Sequence, residues 1–272
     1  MKSLAVMTLK GGAGKTTTAL CLAVGLARRG HRVLAIDADP QSNMTMTLLD
    51  GDPAHPPTLG HVLLDQADVE DAIRPTRVKG LDVLPSDAQL ADAALLLSDV
   101  MGREKRMRNA LEAIADSYDY AVVDSAPQMS LVSVNVLNAV EGVIVPVDAG
   151  VYSVSGLGRL QETVEQVRRY LDNPGLHIAG LVMTRTHNNR ATKDIEAQLR
   201  EAFGPLLYKS TIPHSVRVEE AHARHRTVLE FSPTSAPAKA YETLLTEILT
   251  HGEQQQPRRS RNRRRTDPAD AA

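Results

Sequence analysis

Short runs of apolar residues alternate along the chain with stretches of helical spacing. The stretches of helical spacing follow the glycine-rich segment at residues 11–14 and recur near residues 88–97, 103–115, 157–170, 192–203 and 237–250. The apolar runs lie at residues 4–9, 33–36, 81–84, 121–124, 143–147, 178–183 and 207–211. Strands that alternate with helices predict βαβ units with right-handed crossovers. We therefore expect an α/β fold, a mostly parallel twisted sheet with helices on both faces.

Two segments interrupt this alternation. Residues 50–57 are rich in Gly, Pro and Asp, which predicts a surface loop. After residue 250 the helical spacing stops, and hardly any apolar residue occurs before Ala269. Such a segment buries too little surface to offset the entropy lost on ordering. We predict one domain at residues 1–250 and a disordered tail at residues 251–272.

The composition fits a sheet covered by helices and excludes several classes of protein. Of the 272 residues, 42% are hydrophobic but only 3% are aromatic, so we expect an aliphatic core and no single-strand binding by base stacking. The single cysteine, Cys21, excludes an internal disulfide framework, a one-chain iron–sulfur cluster and a cysteine-rich zinc site. We expect a cytoplasmic protein without a signal peptide or a membrane-spanning helix.

The charge is distributed unevenly. The formal net charge is −2, but residues 257–272 carry six arginines against Asp267 and Asp270, so this tail is +4 and the remaining chain −6. A cationic tail on an acidic body fits a polyanionic partner such as nucleic acid, and it also fits a run of solvated charges. The six residues are Arg258, Arg259, Arg261, Arg263, Arg264 and Arg265.

A glycine-rich loop lies between the first predicted strand and the first predicted helix. Its small residues allow backbone N–H groups to close around phosphate oxygens, and the helix that follows directs its positive end at the same anion. Lys15 is expected to reach the β- and γ-phosphates of a nucleotide, and Thr16 to place its hydroxyl on Mg²⁺. A plain glycine turn would not require Gly-Lys-Thr at its end. The loop is Lys10-Gly11-Gly12-Ala13-Gly14-Lys15-Thr16.

Lys10 is the unusual residue of this loop. A second cation beside a bound triphosphate is repelled by Lys15 unless it also serves the phosphates. Two interpretations stay open: Lys10 is a solvated lysine at the end of a strand, or it points across a subunit interface into the site of a partner.

Aspartates follow two of the predicted strands. Asp37 and Asp39 follow the second strand, and Asp124 ends the strand at residues 121–124. Beside a phosphate-binding loop, a carboxylate at the carboxyl end of a strand can bind magnesium or hold the attacking water. In isolation all three residues could be turn aspartates that end strands.

The loop and its continuation through Thr17 resemble the deviant Walker A loop of the ParA/MinD ATPases. Residues 37–43, Asp-Ala-Asp-Pro-Gln-Ser-Asn, resemble the ParA pattern Asp-x-Asp-Pro-Gln-x-Asn, and the resemblance extends from residue 2 to about residue 249. It implies an ATP hydrolase that uses ATP and Mg²⁺, binds the nucleotide with residues 10–17, and forms a homodimer around it. In that family the first lysine, here Lys10, reaches the nucleotide of the other subunit.

The resemblance also implies roles for the three aspartates. Asp37 matches the family residue that orients the attacking water, and Asp39 would secure the loop and the magnesium shell. Asp124 would hold the metal together with Thr16. Residues 125–127, Ser-Ala-Pro, depart from the Asp-x-Pro-Pro that the family has after its magnesium-binding strand.

Residues near the end of the chain resemble the family's base pocket and DNA contacts. Pro213 lies in a segment similar to the ParA stretch Ile-Pro-Arg-x-x-x-x-x-Glu-Ala, whose backbone lines the adenine pocket, and His214 replaces the arginine. Arg217 then becomes a candidate DNA contact, and Arg190 is an approximate match to a second one. Both could also be ordinary surface arginines.

The function implied by the resemblance is DNA segregation. An ATP-bound homodimer would bind double-stranded DNA without sequence preference and release it after hydrolysis stimulated by a ParB-like partner, with the protein on the nucleoid. The size and the absence of an N-terminal extension are similar to the chromosomal type of the family. Three alternatives stay open: a MinD-like ATPase on a membrane, an ATPase that positions a protein assembly, and a metabolic enzyme of the same fold. The tail has no bulky apolar residue for an amphipathic membrane helix, so we expect no membrane partner.

Overall fold

Eight strands form one sheet in the residues that the structure, a computed structural model, describes. These are residues 1–148 and 153–254, with the backbone alone described for residues 153–156 and 252–254. The strands are β1 (Lys2–Val6), β2 (Val33–Ala38), β3 (Arg74–Pro75), β4 (Leu81–Leu84), β5 (Tyr120–Ser125), β6 (Gly142–Asp148), β7 (His177–Thr186) and β8 (Leu207–Pro213).

The sheet order is β3-β4-β2-β5-β1-β6-β7-β8. Neighbouring strands are parallel except β3, which pairs antiparallel with β4. The carboxyl ends of the seven parallel strands therefore meet at one edge of the sheet. In open α/β sheets this edge is where ligands bind, so the fold indicates where the site lies.

Helices cover both faces of the sheet. Alternate residues of a strand point to opposite faces, so Leu34 and Ile36 belong to the core cluster shared with α3 to α9, whereas Val33 and Ala35 belong to the cluster shared with α1, α2 and α10 to α12. These helices are α1 (Lys15–Arg28), α2 (Asn43–Leu48), α3 (Leu59–Leu63), α4 (Val69–Ala72), α5 (Leu90–Leu96), α6 (Arg106–Ala113), α7 (Leu131–Ala139), α8 (Ser153–Tyr170), α9 (Arg190–Phe203), α10 (Val216–His222), α11 (Val228–Phe231) and α12 (Ala236–Gln254).

The structure confirms the predicted α/β architecture. All seven predicted strands and all six predicted helical stretches are present, and residues 50–57 lie outside helices and strands. The pattern missed α7, whose valines at positions 132, 134 and 136 lack helical spacing. Ser130 caps this helix by accepting a hydrogen bond from the N–H of Ser133, and buried contacts stabilise it.

The last helix extends further than predicted. α12 continues to Gln254, four residues past the predicted boundary at residue 250, and the ring of His251 stacks on that of Tyr208 with 5.6 Å between centroids. The six arginines of the predicted tail lie outside the described residues. Among the helices that are described, none is long and apolar enough to cross a membrane.

Candidate functional site

The glycine-rich loop joins β1 to α1 through a backbone that its glycines permit. Gly12 and Gly14 have φ angles of 74° and 78°, in the left-handed region that glycine adopts without steric cost. Gly14 is the N-cap of α1, so the unpaired N–H groups of the first helical turn start beside the loop. Such groups bind phosphate oxygens. The loop therefore has the geometry of a phosphate cradle.

The end of β7 supports this loop. The Thr184 hydroxyl donates a hydrogen bond to the carbonyl of Ala13 at 2.8 Å, and the Arg185 guanidinium donates to the carbonyl of Gly12 at 3.2 Å. Arg185 has a left-handed backbone, with φ 52°, which is uncommon outside glycine. Sequence reasoning assigned neither residue a role in supporting the loop. Their position directly after the predicted strand at 178–183 was the available signal.

A cavity of about 660 Å³ extends from the loop to the end of β8. Its volume is in the range of about 300–1,000 Å³ that is usual for small-molecule sites. Two of the predicted nucleotide contacts, Lys10 and Ala13, do not line it, and Ala13 is buried. The predicted residues that line the cavity are Gly11, Gly12, Gly14, Lys15, Thr16, Thr17, Asp39 and Pro213.

The two lysines of the loop have different surroundings. Lys15 is buried, and its ammonium donates to the carbonyl of Lys10 at 3.5 Å. Burial lowers the pKa of Lys15, and the charges of Asp124 and Asp39 oppose that shift. The ammonium of Lys10 instead pairs with Asp148, with 3.0 Å between Nζ and Oδ2. Lys15 thus faces the cavity of its own subunit, whereas Lys10 does not.

Asp124 is a buried carboxylate whose hydrogen-bonding capacity is unmet. It lies near the end of β5, and neither of its oxygens has a partner at normal hydrogen-bond geometry in the described part of the chain, although the Thr16 hydroxyl lies nearby. Burial raises the pKa of Asp124 well above its usual range, and the neighbouring Asp37 raises it further. Asp37 is its register partner on β2. Two buried carboxylates side by side favour a cation between them and the cavity.

The groups around Asp124 fit a magnesium ion. Mg²⁺ prefers oxygen ligands and is usually bound by one or two carboxylates together with phosphate oxygens and waters. The Thr16 hydroxyl favours the charged form of Asp124, and Asp39 lines the adjoining cavity. Within the described ranges, no cluster of three or more His, Cys, Asp or Glu residues could hold a metal ion by itself. A magnesium ion would therefore take its other ligands from the nucleotide and from water.

The carboxylate of Asp37 accepts three hydrogen bonds from groups within the protein. Its Oδ2 accepts hydrogen bonds from the N–H and the hydroxyl of Thr45, both at 2.8 Å, and its Oδ1 accepts one from the N–H of Asp39 at 3.2 Å. Asp37 is fully buried and outside the cavity lining, and burial raises its pKa to about 6. The water-orienting role of Asp37 stays a prediction, and the structure places its carboxylate outside the cavity lining. Asp37 holds the segment after β2, and Asp39 is the carboxylate that reaches the cavity.

Three histidines lie just after β7, just after β8 and on α10. The ring of His214 stacks on that of His187 with 5.1 Å between centroids. The Nε2 atom of His222 lies 3.2 Å from the hydroxyl of Thr17, which links α10 to the first turn of α1. Burial lowers the pKa of His222, so its ring is neutral near pH 7. No motif in the sequence pointed to His222.

The predicted DNA contacts lie on the surface, at helices that follow the carboxyl ends of β7 and β8. Arg190 is the first residue of α9, its side chain is 95% exposed, and its Nε is 3.8 Å from Asp194. Arg217 lies on α10, and its guanidinium pairs with Glu220 at 2.8 Å. Neither arginine lines the cavity, so both remain available to a ligand outside it.

The loop, the buried lysine and the carboxylate at the end of β5 define a P-loop ATPase. A family model described as an AAA domain matches residues 1–178. A second model, for 4Fe-4S iron sulfur cluster binding proteins of the NifH/frxC family, matches residues 138–267. That match contains no cysteine, because Cys21 is the only one in the chain. The second match therefore reflects shared fold rather than cluster ligands.

Relatives identify the family within this class. Sporulation initiation inhibitor protein Soj of Bacillus subtilis is 37% identical over 253 residues, which cover 92% of this chain and 99% of Soj. Chromosome partitioning protein ParA of Caulobacter vibrioides is 38% identical over 253 residues, covering 92% and 94%. The structure of cobyrinic acid a,c-diamide synthase from Mycobacterium smegmatis with a bound ATP analogue and magnesium matches with a TM-score of 0.81 at 27% identity, covering 93% and 96%. The chain belongs to the ParA/Soj family of partitioning ATPases and is an ATP hydrolase.

Proposed function

We propose that this chain is a DNA-segregation ATPase. Its homodimer, formed around ATP and Mg²⁺, binds double-stranded DNA without sequence preference and releases it after hydrolysis stimulated by a ParB-like partner. The observation that carries the proposal is the divergence of the loop lysines: Lys15 lines the cavity and Lys10 lies outside its lining. A P-loop lysine that does not serve its own subunit's phosphates is available to those of a second subunit. The protein would act on the nucleoid, in the cytoplasm.

The reaction is attack of water on the γ-phosphorus of ATP, which breaks its bond to the β–γ bridging oxygen and releases ADP and inorganic phosphate. Lys15 holds the β- and γ-phosphates, and Lys10 from the second subunit stabilises charge on the transferring phosphoryl group. Asp39 accepts a hydrogen bond from the attacking water. Thr16 and Asp124 would hold magnesium, which when bound would neutralise charge on the phosphate oxygens. Because the site is complete only in the dimer, the monomer hydrolyses ATP slowly.

The proposed DNA surface includes α10, which also contributes to the nucleotide cavity. Val218 and His222 line the cavity, while Arg217 on the same helix is exposed. A nucleotide that shifts α10 therefore also shifts Arg217. Arg190 extends the positive surface at the start of α9. Contacts from both arginines would go to phosphates, which gives affinity without sequence preference.

The test of this function is DNA binding with ATP, with ADP and without nucleotide. We expect a random-sequence duplex to bind only in the ATP state, and the Lys10→Ala variant to bind ATP as a monomer but neither dimerise nor bind DNA. Lys15→Ala should lose nucleotide affinity itself, because it removes the buried cation of the cradle. Equal loss of nucleotide affinity in both variants would contradict a cross-subunit Lys10.

Binding to lipid vesicles distinguishes the other targets of an ATP-dependent switch. ATP-dependent sedimentation with anionic phosphatidylglycerol vesicles, together with no DNA binding in any nucleotide state, would replace DNA by a membrane surface. A dimer that forms with ATP but binds neither DNA nor vesicles would indicate a protein assembly as the target.

A further inference from the structure

We propose that Asp148 is a positioning residue for Lys10: it retains the Lys10 ammonium in the monomer and competes for it with the nucleotide of the second subunit. The inference rests on the proposed cross-subunit role of Lys10. It starts from the ion pair between the two side chains, with Nζ and Oδ2 3.0 Å apart and side-chain exposures of 38% for Lys10 and 27% for Asp148. Sequence reasoning assigned no role to Asp148.

The fold places Asp148 beside the loop. Asp148 is the last residue of β6, which lies between β1 and β7 in the sheet. Its register partner on β7 is Thr184, whose hydroxyl binds the carbonyl of Ala13. The ends of β6 and β7 therefore support the loop in two different ways. Thr184 holds the backbone of the loop, whereas Asp148 pairs with the side chain of Lys10, so a change of partner by Lys10 leaves the backbone contact of the cradle in place.

The loop is internally paired in this structure. The ammonium of Lys15 donates to the carbonyl of Lys10, while the ammonium of Lys10 goes to Asp148. The two positive charges thereby diverge, which limits their repulsion. If Lys10 reaches a second subunit's phosphates, the pair with Asp148 must break first. Each subunit of a symmetric dimer breaks one such pair, so the pair favours the monomer twice.

The size of this effect follows from the exposure of the pair. A partly exposed ion pair changes an equilibrium constant by about 1.5-fold to fivefold. Two pairs per dimer therefore weaken dimerisation by about twofold to thirtyfold. Removing the charge of Asp148 should tighten the ATP-bound dimer by that factor. If Asp148 merely supported the fold, or if it aimed Lys10 at the partner, removing its charge would weaken the ATP-bound dimer.

The experiment measures the dimer dissociation constant with ATP by sedimentation equilibrium. We compare wild type, Lys10→Ala, Asp148→Asn and Asp148→Ser, the last two being independent ways of removing the charge if one of them unfolds. Asp119→Asn is the matched control, because Asp119 pairs with Arg32 at 2.8 Å just before β5, at the opposite edge of the sheet. Thermal unfolding shows which variants are folded.

The expected result is a dissociation constant lowered by about twofold to thirtyfold in the folded Asp148 variants and unchanged in Asp119→Asn. An unchanged or raised constant in the Asp148 variants, with Lys10→Ala unable to dimerise, overturns the retaining role while leaving the proposed function intact. A Lys10→Ala protein that dimerises like wild type overturns the cross-subunit role, and the inference with it.

Discussion

Asp37→Ala should mainly lower the stability of the protein, whereas Asp39→Ala should mainly slow ATP hydrolysis. Asp37→Ala removes the acceptor of three hydrogen bonds in the protein interior, which come from the N–H of Asp39 and from the N–H and hydroxyl of Thr45. Asp39→Ala removes a carboxylate that lines the cavity and accepts one hydrogen bond in a turn, from the N–H of Gln41 at 3.0 Å.

The two losses differ in size. An unsatisfied buried donor costs about 1–3 kcal/mol, so Asp37→Ala should lower the free energy of unfolding by about 3 kcal/mol or more before any relief of repulsion with Asp124. Asp39→Ala should lower it by about 1 kcal/mol, the worth of one ordinary hydrogen bond. The order reverses for hydrolysis. Loss of a carboxylate that positions or activates water slows turnover by about 10²–10⁴-fold, which we expect for Asp39→Ala.

Urea unfolding without nucleotide measures the first effect, and ATP turnover at saturating ATP measures the second. Asp39→Asn is the matched control, because its amide oxygen can still accept the turn hydrogen bond but carries no charge. It should turn over as slowly as Asp39→Ala and unfold like wild type, and both variants should still bind ATP. A stable Asp37→Ala protein without turnover, beside an Asp39→Ala protein with wild-type turnover, would refute this assignment and restore Asp37 as the water-orienting residue.

Three further predictions concern the exposed Arg217, the mostly buried Glu230 and the tail. Arg217→Glu should weaken binding to every duplex and lower the salt slope by about 1, with dimerisation by light scattering unchanged; unaltered DNA affinity would place the binding face elsewhere. Burial alone would raise the pKa of Glu230, but hydrogen bonds from Thr227 and Arg77 lower it below its usual value. The ionised carboxylate therefore stabilises the folded protein above pH about 4.3, and this stabilisation is lost as the pH falls through the pKa of the folded state. Glu230→Gln should therefore unfold more easily by about 1.5–3 kcal/mol at pH 7 and by less at pH 3 in urea titrations, and an equal deficit at both would contradict this sign. Removing residues 257–272 should flatten the slope of log DNA affinity against log salt concentration by several units, while DNA binding still depends on ATP. An unchanged slope would mean that the tail is a solvated terminus that does not contact DNA.

The strands could be predicted from the sequence because a buried parallel strand is a short, continuous apolar run. α7 could not, because its residues do not show the spacing of a half-exposed helix. Its buried Asn135 and Asn138 donate hydrogen bonds to the carbonyls of Arg103 and Glu104, at 2.7 Å and 2.8 Å. These partners lie more than 30 residues away along the chain. A local pattern contains no information about such contacts.

The candidate site was predictable where its chemistry is contiguous in the chain. The phosphate loop is local, since its glycines and the start of α1 determine its shape. The local sequence cannot distinguish the roles of Asp37 and Asp39, because residues two apart in an extended segment point to the same side. Two features make the surroundings of the two aspartates different: β2 ends between them at Ala38, and Thr45 on α2 hydrogen-bonds to Asp37 and covers it. Only the tertiary structure shows which carboxylate is covered.

The contacts that support the phosphate loop are all distant in sequence. Asp148, Thr184 and His222 contact loop or first-turn residues that lie 138, 171 and 205 positions earlier in the chain. A motif can therefore stay identical while the strength with which these partners hold it changes. Under the proposed roles, Asp148 would adjust dimerisation by retaining Lys10. His222 on α10, through its contact with Thr17 on α1, would adjust the coupling of nucleotide to the surface of Arg217. Two proteins with the same loop would then differ in how readily they switch, and the cause would lie in residues that no loop motif includes.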